Sequence, residues 1–460
     1  MISVSEIFFS AAATAPAWPA LACLVIGILA QRRTSPPEST VVAISQLALW
    51  ISFLCQIAAT GAYFVQHAQP VDLQLGYFYR AGDYGFQLRF LLDDTSLPIS
   101  LVASLLLLAT SRFSAHYLHR ERGFNRFFAL MLVFSCGIQL TVLAGSYDLL
   151  FAGWELVGLT SVLLVGFFQK RAGPVRAAMR VLVTYRLCDV GLLIAPILLH
   201  LSIHSAAFVD IQGAMTVPSD QHAVPATAAA LFLLIAAMGK SAQFPVGGWL
   251  PRAMEGPTAS SAVFYGGLSV HVGVYLLIRS APLFDQAPLA KLLLIVIGGV
   301  TAVMAVLSGQ VSGDAKSGLA YATISQVGLM FVECGFGLYR LATVHLIAHA
   351  VLRYYQFLRI PSVLQDALEQ RAALGTQPAP APKSRTDQLT LPIRIVLYRL
   401  AIERFEVEAA LDRFIARPVY FAAHWLGELE ARIAARLAGS PSDGLPSNGS
   451  DGSDREGGPR

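Results

Sequence analysis

An all-α, polytopic membrane protein is the fold class that this sequence predicts, and three observations predict it. Hydrophobic residues fill 55% of its 460 positions and charged residues only 13%, with a positive mean hydropathy, too apolar a balance for a surface facing water. Apolar runs of roughly 20 residues, the length that carries a helix across a hydrocarbon core, recur along the first 360 positions. The net charge of +4 is small for this length, so membrane lipid is an expected partner and nucleic acid is not.

Taken in order, eleven spans are expected, near residues 11–31, 41–66, 92–111, 126–145, 148–168, 180–202, 226–250, 259–279, 289–308, 315–335 and 340–360. The first run ends on Gln31-Arg32-Arg33, without a basic segment ahead of it or a small-residue cleavage site behind it, so it reads as a retained helix. Alternate loops collect Arg32, Arg33, Arg112, Arg120, Arg122, Arg126, Lys170, Arg171, Arg176, Arg180 and Arg252 on one side, against Arg80, Arg89, Arg279, Lys291 and Arg340 on the other. That asymmetry predicts an N-terminus outside and a C-terminus in the cytoplasm of a bacterial inner membrane. Cys23, Cys55, Cys136, Cys188 and Cys334 lie in or beside apolar runs with no C-x-x-C pair and read as small core residues. Residues 361–391, with PAPAPKSR, have linker composition. Residues 392–437 have a helical rhythm too polar to span, broken at Pro418, and read as an amphipathic segment lying on the membrane or on a partner. Residues 438–460 have the composition of a disordered tail.

Polar residues inside the spans carry the functional reading. Glu155 lies in the fifth, Arg186 and Asp189 three apart in the sixth, Lys240 in the seventh with Pro245 five residues on, His271 in the eighth, and His345, His349 and Arg353 along one stripe of the eleventh. A charge at bilayer depth costs about 3 kcal/mol even on the lenient insertion scale, and an intramembrane proline frees a carbonyl that something must satisfy. Glu155 and Lys240 read as a proton-handling pair, since a carboxylate and an amine on separate buried helices can exchange partners and pass protons. Arg186 with Asp189 reads equally well as a pair that only neutralises charge within one helix, and His271 as a hydrogen-bonded core residue. His345 and His349 have metal-ligand spacing, but no third ligand stands at a matching register, so neither a metal nor a catalytic residue is expected in this chain.

The segments WELVGLTSVLLVGF, GKSAQFPVGGWLPRAMEGPTASSA, DAKSGLAYATISQVGLMFV and HLIAHAVLRYYQFL follow one another in this order. Together they resemble the antiporter-like membrane subunits of respiratory complex I and of Mrp-type cation/proton antiporters. LDDTSLPISLV and RFEVEAALDRFIARPV resemble the largest of those subunits in particular. The resemblance implies an antiporter-like fold with one complete and one truncated inverted repeat. It also implies that Glu155 and Lys240 form the proton pair, that a proline-broken helix follows the lysine, and that the path continues past His271, His345 and His349, with Arg186, Asp189 and Arg353 as a charge network. Two departures stand out: Tyr265 occupies a family histidine position, and Arg353 replaces a family lysine. With the second repeat cut short after residue 360, they resemble the membrane subunit of DAB-type dissolved-inorganic-carbon transporters. That likeness implies a cation (proton) conducting subunit of a CO2/bicarbonate uptake complex, with zinc on a large cytoplasmic, carbonic-anhydrase-like partner that residues 392–437 help to dock. Two other readings stay open: a truncated complex I or Mrp subunit, and a structural subunit that conducts nothing.

Overall fold

The computed structural model describes residues 4–31, 35–82, 84–216, 220–374 and 391–411, with 413, 417–418, 421 and 424–430. Helices α1 (Val4–Thr14) and α2 (Ala17–Ala30) meet at a bend of 42°, where Pro16 starts α2 with its fixed φ. Helix α3 (Glu38–Val65) follows Pro36-Pro37 and leads into an antiparallel hairpin, β1 (Val71–Ala81) with β2 (Tyr84–Leu92), Val71 opposite Leu92. The hairpin departs from the all-helical expectation, although Val71, Leu73 and Leu75 do alternate with Asp72 and Gln74 at the two-residue period of a strand. Arg89 of β2 ties it down. Its Nε donates to Asp72 at 2.8 and 2.9 Å and its Nη1 to Asp210 at 3.0 Å. Burial works against the Asp210 carboxylate, but the Ser205 hydroxyl and Arg89 hold its pKa below the usual range, and the bond to Asp72 is the main reason that the Arg89 pKa is raised.

Helices α4 (Ser96–Tyr117), α5 (Phe124–Leu143), α6 (Tyr147–Val165) and α7 (Ala172–Ile203) form the first half of the bundle. Asp93 starts α4: its Oδ1 accepts from the Ser96 and Thr95 amides at 2.8 and 3.1 Å, while Ser96 Oγ accepts from the Asp93 amide at 3.0 Å. Outside the spans, α8 (Phe208–Thr216) carries Asp210 to Arg89. Next come α9 (Asp220–Lys240), which ends at its lysine, and α10 (Trp249–Arg252). Helix α11 (Thr258–Ser260) runs into a π-helix at Ser261–Gly267, a 3-10 turn at Ser269–His271 and α12 (Val272–Arg279). Helices α13 (Ala281–Asp285), α14 (Pro288–Gln310), α15 (Ala315–Gly335) and α16 (Tyr339–Leu374) complete the bundle.

Among the described residues seven helical segments are long and apolar enough to cross a membrane, or eight if α1 with α2 counts as one span, so the expected eleven is not reproduced. The three expected spans that fall short, 226–250, 315–335 and 340–360, are those bearing Lys240, Glu333 and the His345–Arg353 stripe. In the last two the polar groups lower the apolar content, whereas α9 falls short in length, its apolar part Pro225–Lys240 stopping at the lysine. Helix α16 continues to Leu374, so the linker expected from 361 starts later, because Leu, Ala, Gln and Glu dominate this stretch and favour helix. The remainder of that linker, 375–390, and the tail at 438–460 lie outside the described residues.

Helix α17 (Leu391–Ile402) belongs to the compact unit Met1–Phe405 and leaves Leu391, Ile393, Ile395, Val396, Tyr398 and Ile402 exposed. The chain turns at Arg404 and Phe405, with φ of 52° and 58°, ahead of Pro418 where a break was expected. A second unit, Glu406–Arg460, holds α18 (Val407–Leu411) and a helical stretch at 424–430 in which His424 and Glu428 pair at 3.4 Å.

Candidate functional site

Lys240 is 0% exposed and sits at the C-terminal end of α9, where unpaired helix carbonyls favour a cation. The helix cannot continue because Ala242 takes a φ of 52° and Pro245 follows. Side chains meet the freed backbone groups: Trp249 Nε1 donates to the Gly239 carbonyl at 3.0 Å, the Phe244 amide donates to Thr301 Oγ1 at 2.9 Å, and Ser241 Oγ donates to the Val270 carbonyl at 2.7 Å. The last bond joins the broken end of α9 to the 3-10 turn before α12. The ammonium donates to the Trp154 carbonyl at 3.1 Å and lies 4.3 Å from the Tyr185 ring centre and 4.9 Å from that of Trp154, a cation–π cage. Gly158 makes room for it, since a Cβ there would stand 2.7 Å from Nζ. We expect Gly158→Ala to push the ammonium out of this cage and lower the midpoint of heat unfolding while the protein still reaches the membrane, which melting of the purified variant beside wild type would show.

Glu155 is not directly paired with Lys240. Adjacent residues of a helix point about 100° apart, so Trp154 faces the lysine while Glu155 forms an ion pair with Arg186. Arg186 Nη2 also lies 3.6 Å from Asp189 Oδ2, and Asp189 Oδ1 accepts from Trp154 Nε1 at 2.6 Å. The expected pair is thus a chain, Glu155–Arg186–Asp189–Trp154, with Lys240 at its buried end. Asp189 first, and then Glu155, supply the negative charge that acts on Lys240. Asp189, which the sequence also allowed as a mere neutraliser, is part of this site.

A second cluster forms around the histidines. His271 Nε2 lies 2.9 Å from His349 Nδ1, and Arg353 Nε donates to His349 Nε2 at 3.1 Å. Arginine only donates, so in the neutral pair His349 accepts at Nε2, carries its proton on Nδ1 and gives that bond to His271, whose own proton is then on Nδ1. Arg353 also donates to Gln356 Oε1 at 2.7 Å and to the Ala322 carbonyl at 3.4 Å. His345 faces away from that pair, Nδ1 toward Glu333 Oε1 at 2.8 Å and Nε2 toward Gln326 Oε1 at 3.2 Å, with its ring centre 6.1 Å from that of His349. Between the clusters, Tyr265 donates to the Ser161 carbonyl at 3.3 Å and the Ser161 and Ser269 hydroxyls lie 3.3 Å apart. The structure therefore brings together Lys240, Asp189, Arg186 and Glu155, and separately His271, His349 and Arg353, with His345 beside them. Pro245 shapes the break. Among the described residues no three His, Cys, Asp or Glu side chains form a metal-holding group.

Residues 144–376 match the family model described as NADH:quinone oxidoreductase/Mrp antiporter, TM, and residues 78–128 match that of the NADH-ubiquinone oxidoreductase (complex I) chain 5 N-terminus. The chain belongs to the antiporter-like membrane subunit family of complex I and Mrp antiporters. It is 34% identical over 350 residues to NADH-ubiquinone oxidoreductase chain 5 of Metridium senile, covering 73% of this chain and 57% of that one. It is 35% identical over 291 residues to NADH-quinone oxidoreductase subunit L of Mycobacterium tuberculosis, covering 63% and 45%. The chain spans about half the length of the curated relatives it matches. The antiporter-like fold recurs in the Mrp complex from Dietzia sp. DQ12-45-1b, with a TM-score of 0.64 at 24% identity over 88% of this chain and 43% of that one. It recurs also in the archaeal membrane-bound sulfane sulfur reductase, with a TM-score of 0.66 at 19% identity over 76% and 71%. Within this fold Trp154, Tyr185, Gln326 and Glu333 were not singled out from sequence, although Trp154 and Gln326 stand inside the family motifs and Glu333 one residue beyond.

Proposed function

We propose that this chain is the cation-translocating membrane subunit of an energy-coupled complex of complex I or Mrp type, with the proton as the first candidate ion. The observation that carries this is Lys240, wholly buried yet held by one carbonyl, two ring faces and the charges of Asp189 and Glu155. None of these partners is a locked ion pair, so the amine has a reason to exchange protons as the charges around Arg186 shift. Arg186 supports the subunit reading: it lies midway along α7 with its side chain 48% exposed, and a charge facing lipid there costs about 3 kcal/mol, so this face belongs against another subunit. The N-out, C-in topology is part of the same proposal.

A second reading keeps this path but couples it to a large cytoplasmic zinc protein that hydrates CO2. Arg353 favours it, as the departure that the sequence shares with the inorganic-carbon transporters, and its fixed charge braces His349 where a lysine could release a proton. Purification of the tagged chain with its neighbours, followed by reconstitution into vesicles with an internal pH dye, tests both. Ion-dependent proton flux that falls to background in Glu155→Gln supports the common path, and wild-type flux in that variant would rule it out. Copurified redox or antiporter subunits favour the first reading, and a zinc protein the second.

A further inference from the structure

Away from the buried charges, three helices meet on uncharged polar side chains. Gln56 of α3, Ser104 of α4 and Gln139 of α5 are 0%, 3% and 0% exposed. The Ser104 hydroxyl donates to Gln56 Oε1 at 2.9 Å and accepts from Gln139 Nε2 at 2.7 Å, and Gln139 Nε2 also lies 3.5 Å from the Ser100 carbonyl. This uses the one hydroxyl proton. It leaves an amide donor, Gln56 Nε2, and an amide acceptor, Gln139 Oε1, both buried and without a hydrogen-bond partner among the described residues. Turning both amides round reverses the bonds through Ser104 but again leaves one donor and one acceptor, so the result does not hang on amide orientation.

Serines continue the same two faces. Ser52 and Ser45 lie about one and about three turns before Gln56 on α3, and Ser111 about two turns after Ser104 on α4, all of them buried. A helical hydroxyl ordinarily gives its proton to a carbonyl of the preceding turn, as Thr60 does to Gln56 and Thr110 to Leu106, both at 2.7 Å, on these same helices. Ser45, Ser52 and Ser111 find no such partner among the described residues, although a hydroxyl rotates to any acceptor in reach. Buried polar atoms that stand apart in this way are the ones that water bridges in folded proteins.

We propose that the junction of Gln56, Ser104 and Gln139 is a binding site for water, held between α3, α4 and α5. A water molecule both donates and accepts, so it answers the free amide hydrogen and the free amide oxygen alike, whereas a metal cation would answer only the oxygen. Bound there, it ties α3 to α5 across α4 by exchangeable hydrogen bonds. The site holds no ionisable group, so it goes beyond the ion path built on Lys240 and does not rest on it.

The test takes the full chain, purified with the subunits that accompany it, and uses water as the probe. X-ray radiolysis turns bound water into hydroxyl radical where it sits, and mass spectrometry reads the oxidation of nearby leucines. Leu107, about one turn after Ser104 on the same side of α4, is 0% exposed, as is Leu294 on α14, the reference of equal burial. Leu107 is expected to oxidise roughly tenfold faster than Leu294, since only bound water brings radical to a side chain closed to solvent. Gln56→Leu/Gln139→Leu, which removes the polar pair, should bring Leu107 down to the Leu294 rate while exposed Leu289 keeps its own. If that variant does not accumulate, Gln56→Met alone gives the same comparison. Equal rates for Leu107 and Leu294 in the wild-type complex overturn the proposal, by showing a dry seam in which small residues only let the helices pack closely. A fast Leu107 rate that these variants leave unchanged overturns it as well.

Discussion

On the proposed function, Lys240→Ala is expected to abolish ion-coupled transport in membranes that still hold the full-length protein. The side chain lies at the end of α9, so its removal leaves the helix intact, and Asp189, whose charge acts on it, keeps its bond from Trp154 Nε1 and the Arg186 guanidinium at 3.6 Å. What goes is the buried amine toward which Asp189 and Glu155 are organised. Lys240→Arg separates two roles, because guanidinium keeps the charge but does not release a proton at any relevant pH. Flux should stay at background in Lys240→Arg as well. Vesicle flux and immunoblotting of the same membranes decide it, and near-normal flux in the arginine variant would mean that Lys240 supplies charge and not a proton.

The largest effect on stability is expected from the pair that clamps α4 to α12. Arg279 Nη1 and Nη2 donate to the two Asp93 oxygens at 2.5 and 3.1 Å, its Nε donates to the Tyr275 hydroxyl at 3.1 Å, and that hydroxyl donates to the Val142 carbonyl at 2.5 Å. The side chains are 7% and 12% exposed, so Asp93→Ala strands a guanidinium with little water and should cost about 3–5 kcal/mol. The double variant Asp93→Ala/Arg279→Ala should recover part of that loss, since it removes both charges. Burial alone would raise the Asp93 pKa, but the Arg279 charge and the bonds from Arg279, Ser96 and Thr95 hold it below the ordinary carboxylate value. A depressed carboxylate stabilises the fold fully above its unfolded pKa of about 3.9 and progressively less as pH falls below it. The melting difference between wild type and Asp93→Asn should therefore be flat from neutral pH to about 5 and shrink in more acid buffer. A difference that instead grew with acid would show that Asp93 is held protonated.

Much of this arrangement was legible before any coordinates. Spans carrying ionisable residues stand out because lipid tolerates so few of them, so Glu155, Arg186, Asp189, Lys240 and the histidines could be picked out singly. Their partners were another matter. Trp154 looked like an apolar neighbour of Glu155, because one sequence cannot show that a backbone carbonyl and a ring face meet an amine from another helix. Glu333 was hidden at the end of a run that read as an apolar span, and its role emerges only from His345 lying opposite it. The hairpin at 71–92 was passed over as an outer loop: its alternation is clear in β1, but Gly76 and the irregular register around Tyr77 blur it. The Asp93–Arg279 clamp joins residues 186 positions apart, a distance at which no local pattern speaks.

The Arg353–His349–His271 line has a polarity that bears on traffic through it. Its outer member is a permanent donor, so the line is plugged at that end: a proton reaching the two imidazoles has no onward berth at the guanidinium. On the proposed path a proton that enters there turns back or branches sideways, and the titratable side chain beside the pair is His345, with Glu333 behind it. Arg353 then works like the stop at the end of a rail siding. On that proposal it would keep the pair oriented toward a proton coming from the Lys240 side, with Glu333 as the acid left to receive it.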